Sequence, residues 1–553
     1  MNDLNKDLSK RFLNFLDTKQ YQRLQFEADM MGNIEDQDPL VMFYYASSIY
    51  LKESSEDKEL LLASNLFGKV YNSNKKHMQS LYNMIAVSLK TKVFRDVMPL
   101  AMQAYKKNDK DVKLIEGLAR INFHLGNRQD SIKLFKILYK LLPEKTEGRL
   151  PFISSLQYAS GISQEEYLSE CLNYSKLIEK KHNIENDNFK FINNNSGKIK
   201  LAFLSSDFKI HSVSHFLKKI LQKIDKSSFE VILVSNLETS KQDEMSEVLK
   251  KSVYKWYDVE HYSDDELTTF LRSLNLDILI DLSGFTHGNR FEVVVRKCAK
   301  KQIGWLGYNN TQGIKNLDYL ISDPHLIKKD ELKFYTEEIL FLPNIWNALA
   351  VPEKLPDINN DKKFENFTYC SFNNFQKLSD RSINVWSQIL KISNTELILK
   401  DSLVGGEDLK NNVLTKFIKK GVRKDQIIFL NREDKIEDHL NIYNQANVAL
   451  DTFPYPGVTT SCEAILMGVP VLTMKGFNFN SRCGESINKN IGLNYLIADD
   501  DNDYIEKAIT LRSDKDLSSK YGQSLREKAL KSPLFDTDTF VKDFENLLKK
   551  VIN

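Results

Sequence analysis

Val448-Ala-Leu-Asp-Thr-Phe-Pro-Tyr-Pro-Gly-Val-Thr-Thr-Ser-Cys-Glu-Ala-Ile-Leu-Met467 reads as strand, loop, helix. The apolar run ends at Asp451. Two prolines and a glycine then force a loop through Gly457. From Val458 to Met467 the apolar residues fall at helical spacing. A glycine loop entering a helix presents free backbone N–H groups and the positive end of the helix dipole, which suits a diphosphate. Thr459 and Thr460 add hydroxyl donors, and Glu463, one turn in, suits ribose hydroxyls. The competing reading needs no ligand: Thr460-Ser-Cys-Glu463 is also a capping box.

The same alternation extends on both sides. Short apolar runs separated by helical stretches begin with Ile199-Lys-Leu-Ala-Phe-Leu204 and continue at 229–235, 277–282, 302–306 and 319–322. A second series follows at 367–372, 396–400, 426–430, 448–451 and 469–474. Strands spaced by helices predict parallel sheets covered on both faces. The proline-containing stretch 351–361 separates the series. The expected fold is therefore α/β: two Rossmann-like lobes, 198–350 and 362–553, facing a cleft, the second ending in extra helices. Ligands of such sheets bind beyond the carboxyl ends of the strands. A polar linker at 183–197 leads into them from an all-α region, 1–185. There, Leu118-Ala119, Gly126-Asn127, Ser131, Phe135 and Pro143 match the roughly 34-residue tetratricopeptide template. A poorer copy precedes it at 84–107. A repeat solenoid that binds protein partners and a plain helical domain both fit.

Four more segments lie at expected strand ends. Ser371-Phe-Asn-Asn-Phe-Gln-Lys377 offers Asn373, Asn374 and Lys377, the last able to neutralise a leaving diphosphate; a turn with a surface lysine is the plainer reading. In Ser205-Ser-Asp-Phe-Lys-Ile-His-Ser-Val-Ser-His215, His211 stands where a helix begins, as base, acceptor-orienting group or simple cap. His211 and His215 have metal-pair spacing but lack a third ligand, so no metal site is expected. The glycine-bearing loops Asp281-Leu-Ser-Gly-Phe-Thr-His-Gly-Asn-Arg290 and Trp305-Leu-Gly-Tyr-Asn-Asn-Thr-Gln-Gly313 are weak signals singly. His439 opens a helical stretch. The acidic run Asp499-Asp-Asp-Asn-Asp503 reads as a solvated turn.

Composition excludes more than it asserts. The 553 residues exceed one core and fit about three domains. A net charge of +2 gives no bulk attraction to nucleic acid or membranes. Five scattered cysteines without a C-x-x-C, a polar N-terminus and no long apolar run predict a cytoplasmic protein without zinc, disulfides or membrane spans.

Taken together, Ser206-Asp-Phe…His211-Ser-Val-Ser, Trp305-Leu-Gly-Tyr308, Phe372-Asn-Asn…Lys377 and Asp451-Thr-Phe-Pro-Tyr-Pro-Gly-Val-Thr-Thr-Ser-Cys-Glu-Ala…Met-Gly-Val-Pro-Val471 resemble the protein O-GlcNAc transferase and SPINDLY-like glycosyltransferases, from about residue 198 to the C-terminus. The resemblance implies a GT-B fold after tetratricopeptide repeats. It also implies inverting transfer from a UDP-sugar such as UDP-GlcNAc to Ser or Thr of acceptor proteins, which the repeats would recognise, with no cofactor or metal. By that likeness Lys377 contacts the donor diphosphate, Asn374 is a polar donor-site residue, and His211 is the active-site histidine. His439 binds the donor, Thr459 and Thr460 contact phosphate after Gly457, Glu463 binds ribose, and Leu306 and Gly307 lie near the sugar. Val458, Ile436 and Ile442 replace a histidine and two basic residues of animal relatives, with Lys435 able to substitute for one. His211-Ser-Val-Ser and Asp451-Thr-Phe-Pro-Tyr look SPINDLY-like, and some such proteins use GDP-fucose. A protein N-glycosyltransferase and a catalytically silent repeat scaffold are the remaining alternatives.

Overall fold

The computed structural model describes residues 3–187, 189–192, 197–358, 367–400, 406–433, 435–514, 516 and 520–552. The chain forms two compact units, Met1–Phe152 with Leu403–Val413, and Ile153–Ser402 with Leu414–Asn553.

The first unit is helical. Its helices pair as the repeat pattern requires: Val112–His124 and Arg128–Leu141 pack together, and the Ser131 hydroxyl donates to Ala119 O at 2.9 Å where they touch. Gly117 makes room for the preceding pair, since a Cβ there would meet Ile85 Cγ2 at 2.7 Å. The unit also takes in the start of the helix Gly406–Lys419. Asp408 accepts from the amides of Phe94 and Arg95 at 2.5 and 3.0 Å, and Asn412 Nδ2 donates to Leu125 O at 2.7 Å. Local patterning cannot announce a contact made across some three hundred residues.

The second unit holds two parallel sheets. The first comprises β1 (Ile199–Ser205), β2 (Phe229–Ser235), β3 (Lys255–Asp258), β4 (Ile278–Asp281), β5 (Lys301–Gly304), β6 (Tyr319–Ser322) and β7 (Glu338–Phe341), in the order β3-β2-β1-β4-β5-β6-β7. The second comprises β8 (Thr368–Ser371), β9 (Glu396–Lys400), β10 (Ile427–Leu430), β11 (Val448–Leu450), β12 (Val471–Met474) and β13 (Ile497–Ala498), in the order β10-β9-β8-β11-β12-β13. Every pairing is parallel. Both lobes are thus doubly wound, with a switch in chain direction between β1 and β4 and again between β8 and β11.

All ten strands expected from the sequence are present. Three more are not in that reading: β3, β7 and β13. β3 and β7 lie at sheet edges, where the side chains stay partly solvated and the apolar signal fades; β13 has only two residues. The linker 183–197 contains a short 3₁₀ turn at Ile184–Asn186, while 188 and 193–196 lie outside the described residues. Of the linker 351–361, residues 351–358 carry no regular element and 359–361 lie outside the described residues. The acidic run faces solvent, as expected, but opens a helix: Asp500 caps Asp501–Ser513, accepting from the amides of Asn502 and Asp503.

Two helices are among the features that tie the lobes together. The C-terminal helix Thr537–Ile552 returns to the first lobe, where Glu545 accepts from the Asp225 amide at 2.7 Å and Phe544 packs 4.7 Å from the Trp305 ring. The helix Gln164–Lys181 touches both: Gln164 accepts from Asn478 Nδ2 at 3.0 Å, and Tyr167 shares a short hydrogen bond with Tyr308. Among the described residues no helix is long and apolar enough to cross a membrane. All five cysteines are buried.

Candidate functional site

The switch point of the second lobe gathers most of the residues singled out above. Asp451 leaves β11 fully buried. Its Oδ1 accepts from the Gly457 amide at 2.7 Å and from Asn373 Nδ2 at 3.2 Å, and its Oδ2 accepts from Thr473 Oγ1 at 2.8 Å. Burial raises its carboxyl to about 6, against the pull of those bonds and of Lys377. Asn373, leaving β8, then accepts from Thr460 Oγ1 at 2.8 Å. Gly457 is enclosed by this network: a Cβ would meet Thr460 Oγ1 at 2.5 Å, Asn373 Oδ1 at 2.7 Å and Ser461 Oγ at 2.8 Å.

The capping box is not formed. The helix spans Thr459–Leu466, so Thr460 is inside it, and Val458 at the N-cap supplies no side-chain bond. Thr460's hydroxyl is directed to Asn373 and Glu463's carboxylate to His439. Among the described residues the amides of Thr459, Thr460 and Ser461 have no hydrogen-bond partner. Half-buried N–H groups at a helix start favour an anion.

Lys377 stands beside this terminus, at the end of the turn Phe375–Lys377. Its Nζ donates to Pro456 O at 3.0 Å. Burial brings its ammonium down to about 8, although Asp451 acts to keep it charged. Asn374 does not join the network: it caps the turn, accepting from the Gln376 amide at 2.8 Å. The neighbouring Asn373 makes the contacts instead.

On the other side of the helix, Lys400 Nζ donates to His439 Nδ1 at 2.7 Å, which leaves the proton on Nε2 for Glu463 Oε2 at 3.0 Å. Glu463's other oxygen makes no hydrogen bond among the described residues. Tyr443, packed 4.5 Å from the Phe372 ring, ties the base of the cluster by donating to Thr460 O at 3.0 Å. Lys435 is exposed at the start of the helix Ile436–Asn441, and its side chain makes no hydrogen bond among the described residues. Ile436 is exposed and Ile442 buried.

The first lobe contributes from its own strand ends. His211 caps the helix Ser212–Lys223, with Nδ1 3.4 Å from the Val213 amide and 3.7 Å from Asp207 Oδ2. His215, one turn on, is half-buried; burial lowers its pKa, and the strongest charge acting on it is Glu463 of the other lobe. Leu306 is buried with φ +74°, and Gly307 passes so close to β4's exit that a Cβ would lie 1.9 Å from Leu282 O. Two residues on, Asn309 Nδ2 reaches Cys483 Sγ at 3.5 Å, a thiol that itself borders Lys377 and Asp451.

The sequence reading offered Asn373 only as a polar group at a strand end and weighed His215 only as a metal partner for His211, and it gave no role to Asp451, Thr473, Lys400 or Tyr455. Asp451 carried the clearest available signal, a carboxylate at a strand end directly before a glycine loop. His215 shares a helix face with His211. Among the described residues no group of His, Cys, Asp and Glu could hold a metal ion.

The model for glycosyl transferase family 41 matches residues 157–350 and 359–544. A tomato (Solanum lycopersicum) protein named "Probable UDP-N-acetylglucosamine–peptide N-acetylglucosaminyltransferase SPINDLY" is 30% identical over 356 residues, 64% of this chain and 38% of that protein. A Caenorhabditis elegans UDP-N-acetylglucosamine–peptide N-acetylglucosaminyltransferase is 21% identical over 484 residues, 65% of this chain and 41% of that one. The matched part therefore spans about two fifths of these curated relatives. A point mutant of the Thermobaculum terrenum O-GlcNAc transferase superposes with a TM-score of 0.78 at 21% identity, over 93% of this chain and 99% of that one. That likeness gives the two-lobed arrangement its name, the GT-B fold.

Proposed function

The chain belongs to glycosyl transferase family 41, and from that premise we propose that it is an inverting glycosyltransferase moving a sugar, GlcNAc from UDP-GlcNAc in the first instance, to Ser or Thr hydroxyls of acceptor proteins. The observation that carries this reading is the uncapped start of Thr459–Leu466 beside the Lys377 ammonium, at a switch point between parallel strands. Such a site offers a diphosphate both hydrogen-bond donors and a positive charge.

The acceptor oxygen bonds to the anomeric carbon as that carbon's bond to the diphosphate oxygen breaks. The electron pair leaves on the diphosphate, where Lys377, Thr459 and the free amides meet the growing charge. Glu463, oriented by His439 and Lys400, takes ribose hydroxyls. Leu306 and Gly307 border the sugar. The acceptor's proton passes to a base on the first-lobe side, for which His211, with Asp207 3.7 Å from its Nδ1, is the candidate. The helical repeats of the first unit are the surface proposed to recognise acceptor proteins. No step calls for a metal.

One observation favours GDP-fucose as the second donor to examine. The stretches His211-Ser-Val-Ser and Asp451-Thr-Phe-Pro-Tyr resemble SPINDLY-like proteins, some of which use GDP-fucose, and Val458 stands at the helix's N-cap where animal relatives of the family have a histidine. The test is incubation of the protein with cell extract and UDP-GlcNAc or GDP-fucose, followed by mass spectrometry of the peptides. The expected result is a HexNAc increment on Ser or Thr that requires intact Lys377. A deoxyhexose increment would replace the donor, an increment on Asn would replace the acceptor, and no increment with either donor would favour a silent scaffold.

A further inference from the structure

The roles above leave Tyr455 unused, although it lies against their central charge. Lys377 Nζ is 4.6 Å from the centroid of its ring. The ring is held from elsewhere in the unit: Tyr158, the last residue of the helix Arg149–Tyr158, stacks on it with centroids 4.4 Å apart and planes 12° from parallel. Tyr308 of the first lobe and Cys483 also border it. The chain places these partners far apart, and only the fold brings them to one ammonium.

The arrangement answers a physical difficulty. A diphosphate site needs its lysine charged, yet Lys377 is half-buried, and desolvation favours the neutral amine. The titratable groups facing it are the Asp451 carboxylate and the Cys483 thiol, with Tyr455 beside them and Tyr158 and Tyr308 behind that ring. A further carboxylate would hold the ammonium but repel the incoming diphosphate. An aromatic face attracts a cation through its quadrupole while carrying no net charge. Stacking by Tyr158 fixes that face in place at little entropic cost on binding.

We propose that Tyr455, braced by Tyr158, is a positioning residue that keeps the Lys377 ammonium charged and aimed at the donor diphosphate. The inference rests on the reading of Lys377 as the diphosphate-binding group.

The experiment is calorimetric titration of the full chain with UDP and with GDP from neutral to alkaline pH. Wild-type affinity is expected to fall as pH rises through about 8. In Tyr455→Leu the midpoint should move down by about one pH unit, the range a desolvated cation–π contact spans. Tyr455→Phe keeps the face and should follow wild type, and Tyr158→Leu should move the midpoint the same way by less. If Tyr455→Leu does not fold, Tyr158→Leu against Tyr158→Phe carries the comparison. A Leu variant with the wild-type midpoint, or a Phe variant shifted as far as the Leu variant, overturns the proposal. A wild-type protein that binds neither nucleotide overturns the donor-site reading itself, and is recognised before any substitution is made.

Discussion

Asp281 and Asp451 stand in the same place in their respective lobes, at the carboxyl end of the strand just past the switch point. Both are buried, and burial raises the carboxyl of each. Asp281 is used up locally: it accepts from the Ser283 and Gly284 amides at 3.1 and 2.8 Å and from Gln312 Nε2 at 3.4 Å. Asp451 also fastens its own loop, through Gly457, but in addition faces the Lys377 ammonium. The first lobe closes its switch point with a carboxylate that serves its own fold. The second adds a half-buried cation and leaves a helix start without a cap. One strand order thus carries a carboxylate tied into its own loop in one lobe and a candidate anion site in the other.

The largest expected effect comes from removing that cation. Lys377→Ala should lower kcat by about a hundredfold or more, as when one key transition-state donor is lost, while Asp281→Asn should alter stability and leave the chemical step intact. Single-turnover kinetics of both variants separates the two outcomes.

A pH profile sharpens the contrast. Lys377's ammonium is held at about 8, below the ordinary lysine range. It is charged below that value and loses its proton as pH rises through it, so kcat/KM for the donor should fall on the alkaline side, about tenfold per pH unit once well above the midpoint. Lys377→Arg, permanently charged, should remove the limb from whatever activity it retains.

Two glycines break the comparison differently. Gly457→Ala pushes on the hydroxyls of Thr460 and Ser461 and on Asn373, and should weaken nucleotide binding by about tenfold, or about 1.4 kcal/mol. Gly284→Ala, at φ +53° with the Tyr308 Cβ 2.4 Å from the new methyl, should reduce stability by about 1–3 kcal/mol in denaturant titrations. Its folded fraction should bind nucleotide normally. The smallest effect lies outside both lobes. Ser131→Ala removes the bond to Ala119 O between two repeat helices and should lower the stability of the first unit by about 1 kcal/mol without touching donor affinity.

Much of this was legible in the sequence because the signals are local. Buried parallel strands are continuous apolar runs, so ten of them stood out. Glycine and proline placed the loop before Thr459, and Lys377 followed a strand directly. The unread parts depend on distance in the chain. Nothing near Thr460 says that its hydroxyl goes to Asn373, so a capping box seemed sufficient. Of two adjacent asparagines, only three-dimensional register decides that Asn373 meets Asp451 while Asn374 caps a turn. Tyr455 looked like loop filling until Tyr158, some three hundred residues earlier, was found stacked on it.

Hydrogen exchange in the presence and absence of saturating UDP or GDP tests most directly whether the second lobe's switch point is the anion site. Peptides covering Gly457–Glu463 and Asn373–Lys377 should gain protection from one of the nucleotides, with those covering Ser283–Thr286 of the first lobe unchanged. Protection centred on the first lobe, or none from either nucleotide, would contradict it.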